Sequence, residues 1–160
     1  MNFIRSRRHA AFTLIELVIV VVIIGILAAI AIPRMSRGAA AAGDSALTAN
    51  LATVRNAFDM FQAEHGGTFP ALADAVDSLT KYTDALGGQP LADKDEAKGV
   101  IYGPYLRSVP TLPVGPSRGK TAFVAALGGD GGWVYDGKGG VRANVPDSVK
   151  DARGVKYNDY

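Results

Sequence analysis

The feature that most constrains this sequence is an apolar run close to its N-terminus. The sixteen residues from Leu17 to Ile32 carry no charge and no strongly hydrogen-bonding side chain. Between Phe12 and Leu17, only Thr13 and Glu16 interrupt the apolar character. A helix of ~20 residues, rising ~1.5 Å per residue, crosses the ~30 Å hydrocarbon core of a bilayer. The sequence therefore predicts one membrane-spanning helix, which we place at residues 12–33.

The charges before this run predict its orientation. Arg5, Arg7 and Arg8 precede it, and no acidic residue occurs before Glu16. By the positive-inside rule, the N-terminus is expected in the cytoplasm and residues 34–160 on the opposite side of the membrane.

The composition excludes several classes of function. Beyond residue 11, fourteen basic residues face fifteen acidic ones, so the rest of the chain has no basic surplus for binding nucleic acid. Cysteine is absent, which excludes a disulfide scaffold, a thiolate metal site and a cysteine nucleophile. No set of nucleophile, base and orienting group is apparent in the sequence. We therefore expect no catalytic residue, no metal and no cofactor.

The pattern beyond Pro33 predicts that the helix is kinked there and then continues. Apolar residues recur at alternating steps of four and three, the spacing of one helix face: Leu47, Leu51, Val54, Phe58 and Phe61. Gly66 and Gly67 supply a helix end after Glu64 and His65. The small residues from Gly38 to Gly43 suit either the close approach of another helix or a flexible linker.

The remainder predicts a small outer domain. Leu72, Val76, Leu79 and Tyr82 have the spacing of a short second helix, closed by the glycines at 87 and 88. Residues 87–120 are rich in proline and glycine and are expected to be mainly loop. Strands are predicted at 121–127, 133–136 and 141–144, the first two forming a hairpin around the glycines of 128–132. The predicted fold class is α+β: a long N-terminal helix with a small antiparallel sheet on its outer half.

The most informative motif is the string from Arg7 to Leu17, with Phe12-Thr13-Leu14-Ile15-Glu16-Leu17 opening the apolar run. It resembles the class III signal of type IV pilins and type II secretion pseudopilins. The resemblance implies a leader of residues 1–11, cleavage by prepilin peptidase between Ala11 and Phe12, and N-methylation of Phe12. Gly25 and Pro33 fall where the family helix commonly carries Gly and Pro. Ala11 is a departure, since the family prefers Gly there.

Glu16 is also singled out by physics. A carboxylate near one end of a membrane helix is costly unless it has a partner, and we expect none within the chain's own span. The resemblance implies that the partner is the Phe12 amine of a neighbouring subunit in a filament. The alternative is that Glu16 reaches the lipid head groups and has no role in assembly.

The tail favours a pseudopilin over a pilin. Gly132-Trp133-Val134-Tyr135-Asp136 and Gly154-Val155-Lys156-Tyr157 are similar to the C-terminal region of type II secretion pseudopilins, and the chain lacks the disulfide that fastens many pilins. The resemblance implies a homopolymer with other pseudopilins, an inner-membrane assembly platform as partner, and a periplasmic domain at 34–160. A major or minor pilin of a type IV pilus is the alternative.

Two further alternatives concern an ordinary signal peptide and calcium binding. Ala29-Ile30-Ala31 could be the cleavage site of an ordinary signal peptide, although the apolar run is longer than the usual ~7–15 residues. Two acidic sets, at 93–96 and at 130 and 136, could ligate calcium, although neither has the spacing of a known loop motif. His65 is expected to end the helix rather than bind a ligand.

Overall fold

In a computed structural model of the protein, the structure describes residues 12–88 and 90–160, and the backbone but not the side chains of Pro33, Ser36 and Arg37. The helices are α1 (Leu14–Glu64) and α2 (Ala75–Thr80), and the strands are β1 (Phe123–Val124), β2 (Trp133–Tyr135) and β3 (Val141–Ala143). Short 3₁₀ turns occupy Glu96–Lys98 and Tyr157–Asp159. The chain divides into two compact units between Ala39 and Ala40. The predicted α+β fold class is confirmed.

The helix α1 spans 51 residues and includes Pro33 and the small residues from Gly38 to Gly43. Proline therefore does not end it, as predicted, and the small-residue stretch is helical rather than a linker. At the C-terminal end, Gly66 and Gly67 adopt φ values of 63° and 86°, and the Gly67 N–H donates to Gln62 O at 2.9 Å. Left-handed glycines with this hydrogen bond are a common helix end.

The predicted apolar face of α1 forms one wall of the core in the unit of residues 40–160. Its members are at most 1% exposed: Leu47, Leu51, Val54, Phe58 and Phe61. The Phe58 ring stacks on Tyr135 of β2, with centroids 4.4 Å apart, and meets Phe123 of β1 edge-on at 5.4 Å. Trp133 and Tyr135 are also buried in this core.

The sheet is mixed, and the predicted hairpin between the first two strands is wrong. β2 pairs with β3 antiparallel, but β1 pairs with β2 in parallel, with Phe123 opposite Trp133. A parallel pair usually needs a crossover of about a dozen residues or more. Here residues 125–132 suffice, because β1 is only two residues long.

Glycine and one buried amide hold this short crossover in place. A Cβ at Gly129 would lie 3.0 Å from Val124 Cγ1, and a Cβ at Gly131 would lie 2.6 Å from Ala122 O. Asn144, which is 1% exposed, donates to Gly129 O and Gly131 O and accepts from Gly128 N, at 2.7–2.9 Å. The segment from Gly128 to Gly132 is therefore fixed by a side chain rather than by a two-residue turn.

The second helix is shorter than predicted. α2 ends at Thr80, because Lys81 is extended (φ −125°, ψ 172°) and Tyr82 pairs with Leu91 in an isolated antiparallel bridge. The glycines at 87 and 88 close a turn rather than a helix, since both Leu86 N and Gly88 N donate to Asp84 Oδ1.

Three sets of side-chain hydrogen bonds join α1 to the rest of this unit. Tyr157 Oη donates to Asp44 at 2.7 Å, and Tyr105 Oη donates to Glu64 at 2.5 Å. Between them, the Arg55 guanidinium donates to Val141 O and to Tyr160 O. Burial and the carboxylate partner raise the pKa of Tyr157 to about 12, and the pKa of Tyr105 still further, so both phenols remain donors at neutral pH.

A buried carboxylate organises the C-terminal turn. Asp151 accepts hydrogen bonds from Arg153 N and Val155 N through Oδ1, and from Arg153 Nε and Tyr160 Oη through Oδ2, all at 2.7–2.9 Å. The Tyr160 hydroxyl and the Arg153 and backbone donors lower the pKa of Asp151 well below its usual range, against an opposing effect of burial. The turn therefore depends on an ionised carboxylate.

We expect Phe58→Ala to lower the free energy of unfolding by about 3–5 kcal/mol, because the substitution leaves a cavity between α1 and two strands. The measurement is urea unfolding of a fragment that starts at Ser36 and lacks the apolar run. Asn56→Ala, an exposed change on the same helix, should stay within about 0.5 kcal/mol of wild type. Equal effects of the two substitutions would contradict the assignment of Phe58 to the core.

The stability contributed by Asp151 should depend on pH in a defined direction. A carboxyl whose folded pKa is depressed stabilises the fold above its unfolded pKa of about 3.9, and this contribution is lost as the pH falls through the folded pKa. Asp151→Asn should therefore lower the melting temperature at pH 7, and the difference from wild type should shrink below about pH 4. Asp93→Asn, at an exposed carboxyl, is the control. A gap that stays constant from pH 7 to pH 3 would argue against the ionised carboxylate.

Candidate functional site

The candidate site is the N-terminus of α1, where the only ionisable side chain of the apolar span lies. Thr13 precedes the first helical residue, Leu14, and Glu16 lies in the first turn. Thr13 N and Thr13 Oγ1 both donate to Glu16 Oε2, at 2.9 and 2.7 Å, and Glu16 N donates to Thr13 Oγ1 at 3.3 Å. This reciprocal pattern is a capping box, in which two unpaired helix donors are satisfied by side chains.

The capping box corrects one expectation from the sequence. Glu16 was expected to have no partner within its own span, but Thr13 supplies two donors. The signal was present in the sequence, since Thr and Glu three residues apart before an apolar run are the signature of a capping box. Glu16 Oε1 accepts no hydrogen bond from the described residues, so one of its two oxygens remains open to another partner.

The rest of the span offers only apolar surface. Residues Leu14–Ile32 have a mean hydropathy of 3.2, and the helix is long and apolar enough to cross a membrane. Every Leu, Ile and Val side chain in this range is at least 48% exposed. Such a surface is stable only when lipid or other helices cover it. The geometry therefore combines one partly satisfied carboxylate with an uncovered apolar helix.

The other predicted site residues have different positions relative to this geometry. Phe12 lies directly before the cap and is 80% exposed. Ala11 and the basic leader lie outside the described residues. Gly25 and Pro33 are both within α1. The helix kink assigned to them stays a prediction.

Three of the acids considered as calcium ligands, and His65, make local contacts within the fold. Asp95 caps a 3₁₀ turn, Asp130 pairs with Lys120, and Asp136 accepts from the backbone of its own turn. His65 is 3% exposed and lies between Phe61 O at 2.7 Å and Thr83 Oγ1 at 2.9 Å. Within residues 12–88 and 90–160, no three His, Asp or Glu side chains are grouped so that they could hold a metal ion.

The comparisons with known proteins concern this N-terminus and the chain beyond it. Residues 6–32 match the family model of the prokaryotic N-terminal methylation motif. The chain is 27% identical to the type II secretion system core protein G of Aeromonas hydrophila, over 69% of this chain and 71% of the relative. It is 27% identical to the protein of the same name from Vibrio cholerae serotype O1, over 84% and 90%, and 24% identical to that of Klebsiella pneumoniae, over 78% and 88%.

No solved structure shows significant similarity to this chain. The methylation motif covers the span that carries the capping box, and the relatives extend the similarity into the outer unit, residues 40–160. Together, these similarities support the type IV pilin and type II secretion pseudopilin family for this chain.

Proposed function

We propose that this chain is a pseudopilin that prepilin peptidase cleaves between Ala11 and Phe12 and that polymerises through the N-terminal part of α1. The observation that carries the proposal is Glu16, the only ionisable residue of an exposed apolar span. Thr13 donates to one of its carboxylate oxygens, and the other accepts no hydrogen bond from residues 12–88 and 90–160. The proposed role is structural, with no catalytic residue, no metal and no cofactor.

The capping box makes membrane insertion less costly. A charged residue at the centre of a membrane helix costs ~2.5–3.5 kcal/mol on insertion scales. Glu16 lies near the helix end, where the unpaired N–H groups and the helix dipole favour a negative charge. Two hydrogen bonds from Thr13 replace part of the hydration that Glu16 loses. These interactions favour the ionised Glu16 carboxylate in a subunit that is in the membrane and has not yet assembled.

Assembly then supplies the second partner. Cleavage before Phe12 creates a new amine, and in a filament the amine of one subunit would approach Glu16 of its neighbour. The open Oε1 is the acceptor available for that contact, so the pair can form while Thr13 keeps Oε2. The exposed apolar side chains of the span would be covered by neighbouring helices as the subunit leaves the lipid.

The proposed topology follows from the charges. The basic leader stays in the cytoplasm, residues 12–33 span the inner membrane, and residues 34–160 lie in the periplasm. The proposed partners are further copies of the chain, other pseudopilins, prepilin peptidase and the inner-membrane assembly platform. The names of the relatives favour a secretion system over a type IV pilus, which is the second candidate.

The mature protein should begin with N-methylated Phe12. Mass spectrometry of the N-terminal peptide from membranes measures this directly. Ala11→Gly, which places the residue that the family prefers before the cut, should be processed at least as completely as wild type. A mature protein that begins at Ile32 would instead indicate ordinary signal-peptide cleavage and would contradict the proposed function.

Substitutions of Glu16 should separate insertion from assembly. Glu16→Val removes the cost of a charge in the membrane, so insertion and leader removal should survive, but filaments should be lost because the Phe12 amine of a neighbour would be buried without a counter-charge. Glu16→Gln should resemble Glu16→Val, and Glu16→Asp should assemble in part. The measurement is the amount of sheared filament relative to processed subunit on immunoblots.

The control is Glu96→Val, the same change at an exposed acid far from the apolar span along the chain, which should assemble like wild type. Filaments of Glu16→Val at the wild-type level, from normally processed subunits, would show that Glu16 only reaches the lipid head groups.

A further inference from the structure

One apolar side chain of the outer unit projects from a hydrogen-bonded turn. Leu86 is 89% exposed, the largest value among the large apolar side chains described for residues 40–160. Its turn is held by Asp84, whose Oδ1 accepts from Leu86 N at 3.0 Å and from Gly88 N at 2.8 Å. Because the backbone is already ordered, burying Leu86 against a partner would carry little entropic cost.

The turn is fixed to the C-terminal end of α1. Gly87 has a φ of 77°, and a Cβ at this position would lie 2.6 Å from Cζ of Phe61. The backbone of the turn therefore packs directly on the buried ring of Phe61. Leu86 projects from a position that the core of the unit defines.

A groove lies at the other end of the same helical segment. One wall is formed by small residues of α1, among them Ala41, Ser45 and Thr48, and the other by Ala152, Arg153 and Tyr160 of the C-terminal turn. Its volume is about 350 Å³. For comparison, a cavity of about 150 Å³ is enough to bind benzene. The groove can therefore accept a leucine side chain together with part of its turn.

The separation of the two features excludes contact within one copy. Ser45 borders the groove and Phe61 supports the turn, and at ~1.5 Å per residue they lie ~24 Å apart along the helix axis. Each copy thus carries one projecting leucine and one groove on different surfaces. When identical subunits contact each other through two different surfaces, each subunit can bind one neighbour on each side. Such contacts produce a closed ring or, if the ring does not close, an open filament.

A basic side chain, Arg153, borders the groove, and an acidic one, Asp84, lies beside Leu86. Arg153 is 72% exposed in its side chain, and its Nη1 makes no hydrogen bond to the described residues, whereas Nε and Nη2 bind Asp151 and Tyr160. Beside Leu86, Asp84 uses only Oδ1 within its turn. Asp84 Oδ2 accepts no hydrogen bond from the part of the chain that the structure describes, so it can accept one from Arg153 Nη1. Asp44, the acid of the groove, already accepts from Tyr157.

We infer that the outer units of neighbouring copies contact each other head to tail, with Leu86 of one copy seated in the groove between α1 and the C-terminal turn of the next. This contact rests on the proposed function, since it describes copies held in one filament. It adds a second, periplasmic contact to the one made by the N-terminal helix.

Disulfide cross-linking tests this contact without background, because the chain has no cysteine. Filaments of full-length chain carrying both Leu86→Cys and Ala152→Cys are oxidised and analysed on non-reducing gels. Each copy carries both positions, so we expect a ladder of multimers rather than a dimer. A disulfide needs Cα atoms within about 7 Å, so a ladder reports direct contact. Leu86→Cys with Leu127→Cys, at another exposed apolar residue, is the matched control and should give none.

The other results overturn the contact. Filaments that assemble without a ladder, or a dimer formed by Leu86→Cys alone, would contradict it. Cross-linking of Ala152→Cys to Ile24→Cys would place the apolar span of a neighbour in the groove instead. If the wild-type chain forms no filament in its own secretion system, the proposed function fails first, and the contact fails with it.

A second variant keeps the test decisive if the double-cysteine chain does not assemble. Leu86→Asp changes an exposed side chain, so the processed subunit should accumulate normally, but the ratio of filament to free subunit should fall about tenfold or more. Leu86→Met, which keeps an apolar side chain, should assemble like wild type. Filaments of Leu86→Asp at the wild-type level would overturn the contact.

Discussion

The packing of α1 against the sheet is the interaction on which the outer unit depends. The ring of Phe58 stacks on Tyr135 and meets Phe123, so one helical residue contacts two strands at once. Strands of two and three residues have too few backbone hydrogen bonds to persist alone in water. Their arrangement is therefore imposed by the helix face that they cover.

Several loops of this unit are also held by the hydrogen bonds of individual polar side chains. Asn144 fixes the crossover between β1 and β2, and Asp151 fixes the C-terminal turn. Trp133 Nε1 donates to Pro110 O, and Tyr135 Oη donates to Pro70 O, both at 2.9 Å. A buried donor or acceptor that loses its partner costs about 1–3 kcal/mol, so each of these side chains defines the path of its loop.

Features of this fold that depend on local sequence patterns are predicted from the sequence, whereas features that depend on long-range contacts are not. The apolar face of α1 and its end after Glu64 were predicted correctly, because they follow from a regular period and from two glycines. The parallel pairing of β1 was missed, because it depends on glycines that pack on Val124 and on a distant amide, Asn144. α2 was predicted too long, since the bridge of Tyr82 to Leu91 is a long-range contact that competes with the helix.

The candidate site was predicted in part. Glu16 was singled out by the cost of a carboxylate in a membrane and by its resemblance to a known signal. The contact with Thr13 was not predicted, because Thr13 offers Glu16 a neutral hydroxyl and a backbone amide and carries no counter-charge. Local hydrogen bonds of this kind are readable from spacing alone, whereas the groove beside Arg153 requires segments more than 100 residues apart and is visible only in the structure.

The three links between α1 and its surroundings have a mechanical consequence. Asp44, Arg55 and Glu64 are spread over twenty residues of one helix. Asp44 bonds to the C-terminal turn, Arg55 to that turn and to β3, and Glu64 to Tyr105. A force along the helix axis would act on these hydrogen bonds in shear and at the same time. It would also act on the contacts of the buried apolar face of α1. Bonds loaded in parallel share the force and must fail together, whereas bonds loaded in sequence open one at a time. The outer unit is thus built to stay attached to its helix under tension.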